Sequence, residues 1–203
     1  MWNRLRYTVW APAYDLIVRA AGFDAARRLS IDRLRLAPGD RVLIVGAGTG
    51  LDLDLVPADV QVTATDVTPA MLKHLERRAA GMGVAVTTLV MDARQLTFPD
   101  SSFDAVVMHL ILAVMPQPER GASEAVRVLK PGGRIAVFDK FLGEDERPSF
   151  KRRLLNSLAK PLFSDLNRRL GPLIAGTRVV IEQDEPVAFG GTYRAVTLLK
   201  PRQ

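Results

Sequence analysis

The chain has 203 residues and no cysteine, which excludes a disulfide scaffold, a thiol nucleophile and a thiolate-based zinc site, and fits a reducing compartment. Hydrophobic residues make up 48% of it, enough for the core of one domain, and no apolar run approaches the roughly 18–20 residues of a membrane-spanning helix. The 28 basic against 22 acidic side chains leave +6, a balance open to nucleic acid, an anionic membrane or a phosphorylated small molecule. That excess is unevenly placed. Residues 1–35 carry +4, residues 36–146 carry −5, residues 147–169 carry +6 and the rest +1.

Residues 1–15 (MWNRLRYTVWAPAYD) hold Trp2, Tyr7, Trp10 and Tyr14, four of the 13 aromatic residues. Nothing there reads as a secretion signal. Trp2, Leu5 and Val9 recur at helical spacing with Arg4 and Arg6 on the flanks, the pattern of an interfacial helix with Trp at the headgroup level and Arg toward anionic lipid. An amphipathic helix packed over a ligand would show the same pattern.

Residues 41–47 (RVLIVGA) follow the turn pair Pro38-Gly39 and form a short, β-branched run, the composition of a buried parallel strand. Gln61–Asp66 is a second strand. Thr68 and Pro69 then suit the N-cap and first position of a helix through Met71, Leu72, Leu75 and Ala79, closed by Gly81 and Gly83. Asp52 and Asp54 are expected in the first turn of a helix after the first strand, complementing its dipole. Residues 85–91 and Phe103–His109 are further strands. Residues 119–129 are helical, with Pro131-Gly132-Gly133 stopping the helix before a fifth strand at 134–138. Strand–helix alternation of this length predicts right-handed crossovers and a parallel sheet covered on both faces.

Beyond Lys140 the rhythm changes. Residues 144–170 are basic and Leu-rich, with Phe150, Leu154, Leu155 and Leu158 on one face beside Lys151, Arg152 and Arg153. Strands are expected at 178–183 and 192–199, joined too closely for a helical crossover, so the sheet should end antiparallel. The whole reads as one α/β domain: a Rossmann-like, doubly wound, mostly parallel seven-stranded sheet in three layers. It divides into an N-terminal lid or membrane-contact segment (1–35), a ligand-binding core (36–142), a basic amphipathic insertion (143–175) and a terminal hairpin (176–203).

The sharpest motif is Val45-Gly46-Ala47-Gly48-Thr49-Gly50 at the end of the first strand. Glycines there allow a tight turn and a close backbone approach to a ligand beyond the strand ends. Dinucleotide folds favour a third glycine one position later, where Leu51 stands. The G-x-G-T-G spacing therefore resembles the first motif of class I S-adenosylmethionine-dependent methyltransferases. Three features add to the resemblance: Asp66 ending the second strand, Met91-Asp92-Ala93 after the third, and Arg127-Val128-Leu129-Lys130-Pro131-Gly132-Gly133 before the fifth. Each aspartate also has a plain reading as the cap of the next turn.

The resemblance implies S-adenosylmethionine as cofactor and S-adenosylhomocysteine as product, with no metal. Gly46, Ala47, Gly48, Thr49 and Gly50 would shape its loop, and Asp66, with Val67 and Met71 nearby, would hold the ribose. Asp92 and Ala93 would read the adenine, with His109 also at the cofactor. The Tyr14-Asp15 pair and Phe103-Asp104 are similar to ubiquinone and menaquinone biosynthesis methyltransferases. They are similar too to the small bacterial phosphatidylethanolamine N-methyltransferases, which the length, the Trp-containing N-terminus and residues 109–114 (HLILAV) favour. On that resemblance the substrate is a phospholipid, methylated at an anionic membrane by a cytoplasmic, peripherally bound enzyme on the inner face of the cytoplasmic membrane. Tyr14 and His109 are the candidate catalytic residues, orienting the acceptor or taking its proton; His109 also reads as a satisfied strand-end residue. Tyr7, Tyr14, Lys140, Tyr193 and Arg194 are candidates for holding the substrate. Nucleic acid is disfavoured by the lack of basic–aromatic interleaving, and no protein partner is evident.

Overall fold

The computed structural model of the protein describes residues 22–143, 146–148, 156 and 167–202. Helix α1 (Asp24–Asp32) precedes strand β1 (Arg41–Val45), which leads through a single 3-10 turn (Leu53–Leu55) to β2 (Gln61–Asp66). Helix α2 (Pro69–Met82), β3 (Val86–Val90), β4 (Phe103–His109), α3 (Pro118–Val128) and β5 (Leu129–Lys140) follow. The short α4 (Gly171–Ile174), β6 (Val180–Ala188) and β7 (Tyr193–Leu199) complete the described elements. The seven strands form one sheet in the order β3-β2-β1-β4-β5-β7-β6. Pairs through β5 are parallel, and β7 runs antiparallel to both β5 and β6, as the short connection requires.

Alternation along β1 assigns the two faces. Val42 and Ile44 join Leu72, Leu75 and Ala79 of α2 and Ile31 of α1 in one layer. Leu43 and Val45 join Ala122, Ala125 and Val126 of α3 and Ile174 of α4 in the other. A strand buried on both faces has to be apolar throughout, which is why residues 42–45 carry no polar side chain. Strand order reverses between β1 and β4, so the carboxyl ends of β1, β2 and β4 open the crevice in which ligands of such sheets bind.

Three local expectations are corrected. The helix after the glycine loop is reduced to the 3-10 turn, because Pro57 blocks continuation and holds Val56 extended at φ −84°, ψ 135°. Asp52 is therefore no helix-dipole partner; it is buried and paired. Strand β5 begins at Leu129, ahead of Pro131-Gly132-Gly133. Between the pairs Phe103↔Leu129 and Ala105↔Arg134 its register slips, and a Cβ on Gly133 would stand 2.6 Å from the Asp104 carbonyl oxygen. Strand β6 runs on to Ala188, since an edge strand tolerates Pro186 at a register irregularity.

Candidate active site

The glycine loop leaves β1 with Gly46, Gly48 and Gly50 all at positive φ (67°, 55° and 84°). Gly46 also meets the β4–α3 loop: a Cβ there would fall 2.2 Å from Ile111 Cδ1. Gly48 is the open position, with nothing within 4 Å of its Cβ direction, so ligand atoms can reach its backbone. Asp66 clamps the loop from the end of β2, its Oδ2 accepting the Gly48 N–H at 3.0 Å and its Oδ1 the Thr68 N–H at 2.8 Å. Burial raises the Asp66 carboxyl above its ordinary range, and the N–H groups of Thr68 and Gly48 oppose that shift. Each oxygen keeps lone-pair capacity for a ribose hydroxyl. Thr68 stands at the N-cap of α2 without a side-chain cap hydrogen bond, and its own N–H donates to the Asp66 carboxylate.

Met91 N–H donates to the Asp66 carbonyl at 3.0 Å, which draws the ends of β2 and β3 together. Asp92 Oδ1 accepts the Arg94 N–H at 2.9 Å, and its Oδ2 takes the guanidinium at 2.7 Å, so this aspartate shapes its own turn. Val67 is 39% exposed beside Asp66, offering an apolar flank, while Met71, Ala93 and Thr49 are buried. Among the described residues, no group of three or more His, Asp or Glu side chains could hold a metal ion.

His109 ends β4 inside the fold. Its Nδ1 lies 2.7 Å from Asp52 Oδ1, its Nε2 lies 3.1 Å from Ser30 Oγ, and its ring meets Phe138 edge-on. Arg27 of α1 donates from Nε to the same Asp52 oxygen at 3.1 Å. Burial alone would raise the Asp52 pKa, but the His109 and Arg27 charges and hydrogen bonds override it and hold the carboxyl at about 2. The sequence reading missed Arg27, Ser30 and this role of Asp52. The only signal was an acidic side chain, Asp52 itself, two residues beyond Gly50.

Lys140 and Tyr193 are register partners on β5 and β7, with the ammonium 5.8 Å from the ring centroid. Burial lowers the Lys140 pKa against the opposing Asp139 charge, and burial pushes the Tyr193 hydroxyl up to about 12. Arg194 is adjacent to Tyr193 and therefore faces the other side of the sheet, where its Nε donates to Asp184 at 2.7 Å. The three substrate-holding candidates among the described residues thus divide between two faces. Phe23, Phe138 and exposed Phe189 surround Tyr193 with centroids 4.6–5.8 Å away. Buried Asp139 accepts the N–H groups of Ala113 and Lys140 and fixes the loop that carries Ile111. Trp2, Arg4, Leu5, Arg6, Tyr7, Val9 and Tyr14 lie outside the described residues.

This strand order, with a glycine loop on β1 braced by an acid on β2, defines a Rossmann-like methyltransferase fold. A methyltransferase-domain family model matches residues 43–137. The chain is 33% identical over 159 residues to a phosphatidylethanolamine N-methyltransferase of Cereibacter sphaeroides, covering 77% of this chain and 78% of that protein. It is 38% identical over 137 residues to a demethylmenaquinone methyltransferase of Thermus thermophilus, covering 64% of this chain and 61% of that protein. A geranyl diphosphate C-methyltransferase from Streptomyces coelicolor, solved with Mg2+, its substrate and S-adenosylhomocysteine, superposes with a TM-score of 0.72 at 17% identity, over 87% of this chain and 80% of that one. The chain belongs to the S-adenosylmethionine-dependent methyltransferases, and S-adenosylmethionine is its cofactor.

Proposed function

We propose that this methyltransferase acts on the ethanolamine nitrogen of phospholipids, converting phosphatidylethanolamine towards phosphatidylcholine at an anionic membrane surface on the inner face of the cytoplasmic membrane. The observation that carries the reading is the likeness to the Cereibacter sphaeroides enzyme, which extends over more than three quarters of both chains. The likeness to the quinone enzyme spans 61% of that enzyme's length. The basic, apolar-striped segments at residues 1–35 and 147–169 support a lipid-facing position.

Bound S-adenosylmethionine supplies a sulfonium methyl for in-line displacement. The chain's own work is to bind, orient and exclude water. Gly48 offers its open backbone to the cofactor, Asp66, with Val67 and Met71 nearby, accepts from the ribose, and Asp92 with Ala93 borders the adenine edge. The acceptor amine would have to be held neutral so that its lone pair could take the methyl group, with S-adenosylhomocysteine as the product and the amine proton passing to water. Lys140 and the Tyr193 hydroxyl, on one face beside Phe23 and Phe189, hold the headgroup phosphate, with Tyr7 and Tyr14 closing over it. Trp2, Leu5 and Val9 enter the interface between Arg4 and Arg6.

A quinone ring carbon is the alternative acceptor, favoured by the higher identity to the demethylmenaquinone enzyme. Incubation with methyl-labelled S-adenosylmethionine and vesicles of phosphatidylethanolamine, or vesicles containing demethylmenaquinone, separates the two. Label in the ethanolamine lipid is expected; label in the quinone alone overturns the phospholipid reading.

A further inference from the structure

The buried charge network between α1, the turn after the glycine loop and the end of β4 has no place in the transfer chemistry above. The Arg27 and Asp52 side chains are 5% and 6% exposed, and that of His109 is 2% exposed. A buried ion pair gains little over apolar residues of equal volume, so stability alone does not account for one beside the cofactor loop. The position does. Gly50 N–H bonds to the Ala47 carbonyl and Leu53 N–H to the Gly50 carbonyl, each at 3.0 Å, so the loop is a chain of tight turns. Asp52 stands inside the last of these turns. Its side chain is held from β4 by His109 and from α1 by Arg27, and Ser30 of α1 holds the far side of the His109 ring.

We infer that Arg27, Asp52, His109 and Ser30 form a brace that positions the cofactor loop, and that His109 acts through Asp52 and not on the acceptor. Ionised Asp52 can only accept hydrogen bonds, so Nδ1 of His109 carries the ring proton towards it. In the neutral imidazole the lone pair then lies on Nε2, where the Ser30 hydroxyl donates. Neither nitrogen is left to take a proton from an incoming amine. With the brace in place, Asp52 fixes the far end of the loop as Asp66 fixes its middle, and the Gly48 backbone is presented to the cofactor without rearrangement. The inference rests on the S-adenosylmethionine site and is independent of which acceptor is methylated.

Titration calorimetry of the full chain with S-adenosylhomocysteine tests it, using two side-chain amides that differ only in reach. In His109→Asn the amide nitrogen takes the place of Nδ1 and can donate to Asp52; in His109→Gln it takes the place of Nε2 and cannot. The brace requires affinity within about threefold of the parent for His109→Asn and a loss of about tenfold or more for His109→Gln, the worth of one hydrogen bond to a charged group. Arg27→Met, which removes the second donor to Asp52, should weaken binding in the same direction. Melting temperatures recorded alongside identify any variant that fails to fold, and the Asn variant then carries the comparison with Arg27→Met. Equal affinity in the parent, Asn and Gln forms overturns the brace. So does a His109→Asn protein that binds S-adenosylhomocysteine normally yet loses methyl transfer to phosphatidylethanolamine vesicles that the parent methylates, because His109 would then act on the acceptor. The expected binding pattern in a protein that methylates no lipid still supports the brace and counts against the lipid acceptor alone.

Discussion

Two aspartates show how differently a side chain behaves when its partners are backbone or charged. Burial raises Asp66, the loop clamp, so ionising it costs stability at neutral pH, and donating ribose hydroxyls recover part of that cost. S-adenosylhomocysteine affinity should fall as pH drops through the range just above ordinary carboxylate values, and calorimetry on Asp66→Asn should show the dependence gone. Asp66→Ala should lose about tenfold or more in affinity; unchanged binding would remove Asp66 from the site. Asp52 runs the other way. Its folded pKa, about 2, lies below the ordinary 3.8, so the stability it supplies is complete above that value and is lost as pH falls towards 2. Acid unfolding followed by circular dichroism should show this window in the parent. Asp52→Ala should lack it and be less stable at neutral pH by roughly 3–5 kcal/mol, the cost of leaving Arg27 buried without its counterion. The place of Asp66 was legible from sequence because the strand pattern of β2 ends on it, twenty residues beyond the first glycine. Asp52 was not, because its partners lie 25 and 57 residues away in the chain.

Elements were legible where their punctuation is local. Thr68-Pro69 opens α2, Gly83 closes it in a left-handed conformation, and β1 announces itself by four consecutive buried apolar residues. The helix expected after the glycine loop rests only on Asp52 and Asp54 as dipole partners, while Pro57, which forbids its continuation, stands beyond the first turn. The phosphate-grip candidates were grouped by type, and strand alternation then sent Tyr193 and Arg194 to opposite faces. The loop's glycines also differ in a way only packing reveals. Gly46→Ala combines positive φ with the Ile111 side chain and should cost roughly 1–3 kcal/mol in denaturant unfolding, whereas Gly48→Ala, in open space, bears the backbone strain alone and should cost less. Gly48→Ala should instead weaken S-adenosylhomocysteine binding, since its new Cβ points where nothing of the protein stands.

At the scale of the molecule the charge partition matters more than the net +6: an acidic core of −5 is carried between segments of +4 and +6. If those segments meet anionic lipid, co-sedimentation with vesicles should require anionic headgroups and weaken as salt shortens the Debye length from about 10 Å at 0.1 M to about 3 Å at 1 M. Sequence periodicity was sufficient for the layered sheet and its antiparallel end, because both follow from element lengths and connection lengths. It was insufficient for the acceptor, because the side chains proposed to hold it, Lys140 and Tyr193, come together only through the pairing of β5 with β7. The atom that receives the methyl group is therefore the most direct question. Nuclear magnetic resonance of the lipid extract after turnover with isotope-labelled S-adenosylmethionine answers it: the account predicts the label in an N-methyl resonance of the ethanolamine headgroup, and a label found in a ring C-methyl resonance with none on nitrogen would contradict it.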